Sequence, residues 1–318
     1  MATIALYLIP SNDYLFLPDP AHPVAPLMRV QGGHDPSGPG GIYFVDVVER
    51  RASLLESLFP SIRSGSTLVP GDRIVPPGVS DAQVRRAGLL QMSISQRVAA
   101  AVALRGLGYD VVAEPNGVIV SQVEFGSHAV GKLQPADQIV SVNGTSTLTI
   151  AALRRELALV DPGGTVTLGI HRSGKAITVT VKTIADPSDA HRTIIGFQPE
   201  QGASIHLPLK VQISSGNIGG PSAGLAFALE VMEKLGRDVD RGYRVAATGE
   251  IELDGTVAPI GGVKQKTIGA RKAKADVFLV PAGDNAAEAR RYAHGLRIIA
   301  VQSFQQALRA LATLPQKR

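Results

Sequence analysis

The sequence predicts an α+β protein of more than one domain. Length is the first reason: 318 residues, 44% of them hydrophobic and 19% charged, make about two typical domains and can bury a sizeable core. The second is the period-two alternation of Thr165 to Ile170 and Ala176 to Val181 around the turn Ser173-Gly174, which reads as paired strands. The third is the helical spacing of Leu225, Ala226, Ala228, Leu229, Met232 and Leu235 behind Pro221.

Taken in order, the chain opens on an apolar run, Ala2 to Ile9, that Pro10 ends. It is less than half the length that spans a bilayer. Prolines at 18, 20, 23 and 26 then suggest an extended tether. Leu27 to Gln31 and Ile42 to Val48 alternate like strands, with the Gly/Pro/Asp-rich stretches Gly32 to Gly41 and Pro70 to Pro77 as loops. Asp81 to Gly88 is polar and short, and Ser95 to Leu107 reads as a helix ending at Gly108. Gly117 to Val120 reads as a short strand after a turn. Leu133 to Gly144 gives a loop, a strand and an Asn-Gly turn, and Ile150 to Val160 an amphipathic helix. After the hairpin, His206 to Ile213 is the one strand expected ahead of Ser222.

Candidate chemistry gathers in two segments. Gly219-Gly220-Pro221-Ser222-Ala223-Gly224 opens an apolar helix, and Pro259-Ile260-Gly261-Gly262-Val263-Lys264-Gln265-Lys266 follows downstream. Pro221 suits a first helical turn, which places Ser222 on that turn, among unpaired backbone N–H groups and at the positive end of the helix dipole. An oxyanion could be held there by the backbone around Gly220, Ser222 and Ala223, and the small neighbours allow a substrate backbone to come close. A serine hydroxyl needs a base, and a lysine serves only if burial keeps it neutral. Lys264 and Lys266 both qualify by position. The plainer alternative, a serine capping a helix and two solvated lysines, suits either segment alone better than it suits both together.

The stretch from Gly219 to Gly224, then Thr248-Gly249-Glu250-Ile251, Pro259 to Lys266, and Val280-Pro281 with Asn285, resembles the proteolytic domain of Lon proteases in order and approximate spacing. The resemblance runs over residues 205 to 311. It implies that Ser222 is the nucleophile, Lys266 the general base, Lys264 a structural or surface lysine, and Thr248 a hydroxyl that orients the lysine. Many Lon sequences carry an acid three residues before the serine, whereas this chain has Gly219.

Residues 116 to 183 resemble a PDZ domain of bacterial envelope proteases. The loop Pro115 to Ile119, with Asn116, Gly117, Val118 and Ile119, would then capture a peptide carboxylate, and the helix from Ile150 would form the other wall of the groove. Ala136 stands where a glycine is usual, and Ser127-His128-Ala129 where Ser-Pro-Ala is common. The Lon resemblance requires strands and a helix upstream of the serine, and these precede the PDZ segment. The PDZ is therefore expected as an insertion into the protease domain: tether or anchor stump 1–26, first protease part 27–108, inserted PDZ with linkers 109–195, and catalytic part 196–318, the linkers lying near 109–114 and 185–200.

Several classes are excluded. Nothing in this sequence reads as Gly-x-x-x-x-Gly-Lys-Ser/Thr, so no nucleotide cofactor is expected, and the implied peptidase would act without ATP on unfolded, flexible or short polypeptides. Net charge is +5, but the arginines are scattered and only 4% of residues are aromatic, which argues against nucleic acid as a partner. Cysteine is absent, and the seven histidines form no His-Glu-x-x-His, so no metal is expected. Resemblance to membrane-anchored bacterial proteins joining a PDZ to a Lon domain implies an anchor trimmed at the N-terminus, a protease facing outside the cytoplasm, and a homo-oligomer of three or six subunits. A PDZ-centred binding scaffold with an inert protease half is the competing expectation, and a signal-peptidase-like Ser/Lys enzyme would lack the Pro-Ile-Gly-Gly segment.

Overall fold

The computed structural model describes residues 6–75, 79–124 and 126–317. The chain divides into two units. One comprises Met1–Gly71, Gln91–Val111 and Leu207–Arg318, the other Asp72–Leu90 and Val112–His206.

The first unit holds several sheets, the largest of five strands. Its strands are β1 (Pro10–Pro18), β2 (His22–Pro23), β3 (Met28–Val30), β4 (Gly41–Phe44), β5 (Val47–Ser53) and β6 (Thr67–Val69), with the one-turn helix α1 (Leu54–Leu58) after β5. A short helix α2 (Gly71–Ile74) and the long α3 (Asp81–Gly106) follow, with residues 72–74 of the former and 81–90 of the latter belonging to the second unit. Two departures from the sequence expectation lie here. The proline-rich stretch is no tether, because β1 sits between β5 and β6 in a three-stranded sheet and β2 pairs with β4. Proline tolerates those places because they are strand ends and turns. Asp81 to Gly88 likewise joins Ser95 to Leu107 in one helix. Residues 1–5 of the expected anchor stump, and Pro76 and Pro77 of the expected loop, lie outside the described residues.

By length and composition α3 could cross a membrane, but half of its most apolar window is buried inside the protein. Ala99, Ala100, Ala101, Ala103 and Leu104 are at or below 1% exposure, as in a core helix.

In the second unit, β7 (Val112–Val123), β8 (Gln138–Val142), β9 (Thr145–Ser146), α4 (Ile150–Leu157), β10 (Thr165–Arg172) and β11 (Lys175–Lys182) are followed by the hairpin β12 (Ile184–Asp186) and β13 (Asp189–Ile194) and by β14 (Phe197–His206). The main sheet runs β11-β10-β8-β7-β14. Val118, Val120, Ile139, Leu153, Leu168 and Ile195 fill its core. The Asp137 carboxylate, 1% exposed, accepts from the Arg172 guanidinium at 2.7 and 2.6 Å and from the Gln134 N–H at 2.8 Å. A buried charge of this kind is tolerable only with such partners.

The expected linker 185–200 is in fact β12, β13 and the start of β14. Its polar sequence reflects a strand with one wet face. Because His206 pairs with Val112, β7 and β14 bring the two ends of this segment together, as an insertion requires.

Past the inserted segment come β15 (Val211–Ile213), α5 (Gly224–Lys234), β16 (Arg244–Ala247), β17 (Glu250–Ile251), β18 (Val257–Ala258), α6 (Val263–Lys272), β19 (Val277–Pro281), α7 (Asp284–Tyr292), β20 (Arg297–Val301) and α8 (Phe304–Ala312). The expected strand His206 to Ile213 is interrupted at 207–210, where Pro208 cannot donate to a ladder. A five-stranded sheet in the order β2-β4-β16-β19-β20 places β4 beside β16, with β4, β16, β19 and β20 mutually parallel. The upstream strand β4 thus completes the sheet that carries the downstream motifs, and the second unit interrupts one domain.

Candidate active site

Ser222 lies two residues ahead of α5, whose N-cap is Ala223. It is therefore in the turn before the helix, not on its first turn. The Gly224 N–H reaches the Pro221 carbonyl at 3.2 Å, a tight turn that delays the helix by one step. Gly220, at φ +85°, supplies the left-handed residue that sends the chain into this turn.

Four contacts fix the serine backbone. Its carbonyl accepts from the Gly249 N–H at 2.8 Å and the Thr248 Oγ1 at 3.1 Å, and the Leu225 N–H returns to the Gly249 carbonyl at 3.1 Å. From α3, the buried Ser95 hydroxyl donates to the Pro221 carbonyl at 2.9 Å. Ser95 could not be singled out in the sequence, where it is one serine in a helix.

Lys266 projects from α6. The helix starts at Gly262, φ +71°, and the preceding segment is pinned by Asn285, which accepts from the Ile260 N–H at 2.7 Å and donates to the Ile260 carbonyl at 3.0 Å. Lys266 is 4% exposed, and its Nζ lies 2.7 Å from the Ser222 Oγ and 3.4 Å from the Thr248 Oγ1. Burial pushes the ammonium down to about 7, opposed by the charge of Asp46. Near pH 7 a large share of this amine is neutral and can take a proton from the hydroxyl beside it.

The neighbouring lysine points elsewhere. Lys264 Nζ donates to the Ser66 carbonyl at 2.8 Å and lies 5.7 Å from the centre of the Tyr292 ring. Gln265 binds the Gly65 carbonyl and the Thr67 Oγ1. One face of α6 thus holds the turn that leads into β6, and the next presents Lys266 to Ser222.

The sequence-predicted PDZ residues fall differently. Asn116, Gly117, Val118 and Ile119 form no loop. They belong to β7, where Val118 and Ile119 pair with β8 on one side and with Gln201 and Glu200 of β14 on the other, and the Gly117 N–H donates to the Leu148 carbonyl. A backbone already paired on both edges has no ladder position left for a peptide. In this sheet β14 is the end strand, and α4 packs against it. Its polar sequence, which reads as a linker, hid it.

Elsewhere, Glu233, Asp238 and Asp240 bring three carboxylates within 4.8 Å of one another. Glu233 Oε1 already accepts from the Val239 and Asp240 N–H groups, and Asp240 Oδ1 from that of Gly242, so these acids brace the loop after α5.

Residues 187–313 match the family model of the Lon protease (S16) C-terminal proteolytic domain, and residues 106–183 that of the PDZ domain. Lon protease 2 of Bacillus subtilis is 37% identical over 98 residues, covering 31% of this chain and 17% of that protein. Lon protease 1 of the same organism is 29% identical over 154 residues, 48% of this chain and 20% of that protein. Lon protease 1 of Sorangium cellulosum is 49% identical over 68 residues, 21% of this chain and 8% of that protein. The chain spans a fifth or less of the length of these relatives. Among solved structures, the PDZ domain of the SdrC-like protein of Listeria innocua covers 27% of this chain and 97% of its own, at 23% identity and a TM-score of 0.26. With the motifs from Gly219 to Asn285 on one framework and a second module set inside it, the chain carries a Lon protease proteolytic domain with a PDZ domain lying within it.

Proposed function

We propose that the protein is a serine endopeptidase in which Ser222 is the nucleophile and Lys266 the general base, acting without ATP on unfolded or flexible polypeptides. The observation that carries this reading is the 2.7 Å approach of a buried lysine amine to a serine hydroxyl. Neutral Lys266 takes the Ser222 proton as Oγ attacks the peptide carbonyl. The backbone N–H groups at Gly220, Ser222 and Ala223 would face the oxyanion, and the Lys266 ammonium returns its proton to the leaving amine. Water, deprotonated by the same lysine, then cleaves the acyl-enzyme. Thr248 is a positioning group, since its hydroxyl touches both the serine carbonyl and the lysine.

In this proposal the PDZ domain selects or gates substrate by strand addition to β14 beside α4. The protease half would assemble as a trimer or hexamer, held to a bacterial membrane by an N-terminal anchor and facing outside the cytoplasm. An oligomer carrying several PDZ grooves would raise the effective concentration of bound substrate.

Casein incubated with the pure protein should be degraded at the same rate with and without ATP. Ser222→Ala and Lys266→Ala should each abolish cleavage, with the double variant no worse than either, because the two act as a unit. Lys264→Ala should keep most activity. Survival of activity in Lys266→Ala with loss in Lys264→Ala would reverse the assignment of the base.

A further inference from the structure

When Lys266 takes a proton it becomes a buried cation, and such a charge is costly without a partner. Ser222 and Thr248 offer only hydroxyls. Gly219 stands where an acid could have been, so a counter-charge must come from another part of the chain.

Helix α6 lies closely against two upstream segments. A side chain at Gly269 would meet the Asp19 carbonyl at 2.0 Å and Val45 Cγ1 at 3.3 Å, and the Ala21 N–H donates to the Gly269 carbonyl at 3.2 Å. One at Gly262 would meet Val47 Cγ2 at 2.9 Å. Lys266 lies between these two glycines on α6, one turn from each, and Asp46 lies between the two valines in the short link from β4 to β5. Asp46 Oδ1 is buried and has no hydrogen-bond partner. It stands 3.9 Å from His22 Nε2, which is 2.8 Å from Asp19 Oδ2. Among the described residues, titratable groups acting on Asp46 include Asp19, His22 and Lys266, and Asp46 acts in turn on Lys266. The two fields are reciprocal: burial followed by Asp19 raises the Asp46 carboxyl while Lys266 lowers it, and Asp46 raises Lys266 against its burial.

We propose that Asp46 is a positioning residue whose carboxylate is the counter-charge for the Lys266 ammonium, held in place by the His22–Asp19 pair. The proposal rests on the Ser/Lys reading for its catalytic consequence. Its electrostatic content stands apart from that reading. With Asp46 ionised, the ammonium formed during attack on the peptide bond is stabilised. The cost is that Lys266 is less often neutral at a given pH than burial alone would make it.

The test is Asp46→Asn in the full chain, with lysine labelled with 13C at Cε and the Lys266 resonance assigned by its loss in Lys266→Met. The Lys266 titration midpoint should fall by roughly one pH unit or more, the effect of losing a unit charge at about 10 Å or less when the effective dielectric is near 20. Asp46→Glu should return it toward wild type. In peptide hydrolysis, the rising limb of kcat against pH should move down with the midpoint, while the plateau falls several-fold and KM holds. A structural role alone would lower the rate without moving either midpoint. If Asp46→Asn does not fold by circular dichroism, His22→Gln is titrated instead and should show a smaller fall in the same direction. An unmoved or raised midpoint in a folded variant overturns the proposal. Wild-type protein that hydrolyses no peptide at any pH would defeat the peptidase reading instead and leave the titration to decide on Asp46.

Discussion

At the scale of the residue, two buried titrations pull the protein in opposite directions with pH. Lys266, held near 7, must lose its proton to act as a base, so cleavage should rise through about pH 7 and level off above it. Initial rates on a short fluorogenic peptide between pH 5.5 and 9.5 check this, and an acid optimum would point to another base. Glu230 on α5 runs the other way. It is 1% exposed, neither carboxylate oxygen has a hydrogen-bond partner, and burial pushes its pKa up to about 8. An acid whose folded pKa lies above its unfolded value near 4.3 favours the native state fully below that value. This stabilisation is lost as pH rises from there through about 8. Glu233, pushed to about 7 by burial, adds to the same slope. Glu230→Gln should therefore flatten the decline, gaining on the order of 3 kcal/mol relative to wild type between pH 5.5 and 8.5, read as a rise of several degrees in Tm. A parallel loss of Tm in both proteins would show that Glu230 is not the group that titrates.

At the scale of the element, two backbone positions have consequences that can be measured. Ala136 holds φ +75° in the turn before β8, where its N–H donates to the Val120 carbonyl. A left-handed alanine costs about 1–2 kcal/mol, so Ala136→Gly should stabilise the PDZ unit by ~1 kcal/mol once the extra chain entropy of glycine is counted. Chemical denaturation of the unit's own transition is the measurement. At Gly269 the opposite holds, because any side chain collides with the Asp19 backbone. Gly269→Val should destabilise the first unit by at least ~3 kcal/mol and lower activity by displacing α6 and its lysine. Much at this scale was legible beforehand: the hairpin of β10 and β11, the Asn143-Gly144 turn with positive φ at both residues, and α4 all follow from local pattern. The start of α5 was not, since Pro221 favours a first turn and it is the bonds from Gly249, Thr248 and Ser95 to the Pro221 and Ser222 carbonyls that hold Ser222 one step earlier.

At the scale of the whole molecule, the pairing of Val112 with His206 defines where the insertion can be cut. Replacing residues 112–206 by a short Gly/Ser linker should leave a folded protein whose Ser222 still reacts with a serine-directed fluorophosphonate, with altered substrate choice. Removing only 112–195 would leave β14 as an unpaired strand and should aggregate. Light scattering at micromolar concentration checks the proposed trimer or hexamer, and a fully active monomer would refute it.

By itself the sequence, read through its resemblance to Lon proteolytic and PDZ domains, pointed to two modules, to the second interrupting the first, and to a serine and a lysine as candidates for one site. Those are properties of local pattern and of short motifs, in which glycines, a proline and a lysine at fixed spacing leave few backbone alternatives. What only the tertiary structure decided is long in sequence separation and weak in local signal. It pairs β4 with β16, turns a proline-rich stretch into β1 and β2, and makes β14 the outer strand of the PDZ sheet. It also sets Asp46 near a lysine far along the chain. Such contacts are selected by burial and by the need of each backbone N–H for a partner, quantities that belong to the packed chain and not to any window of it.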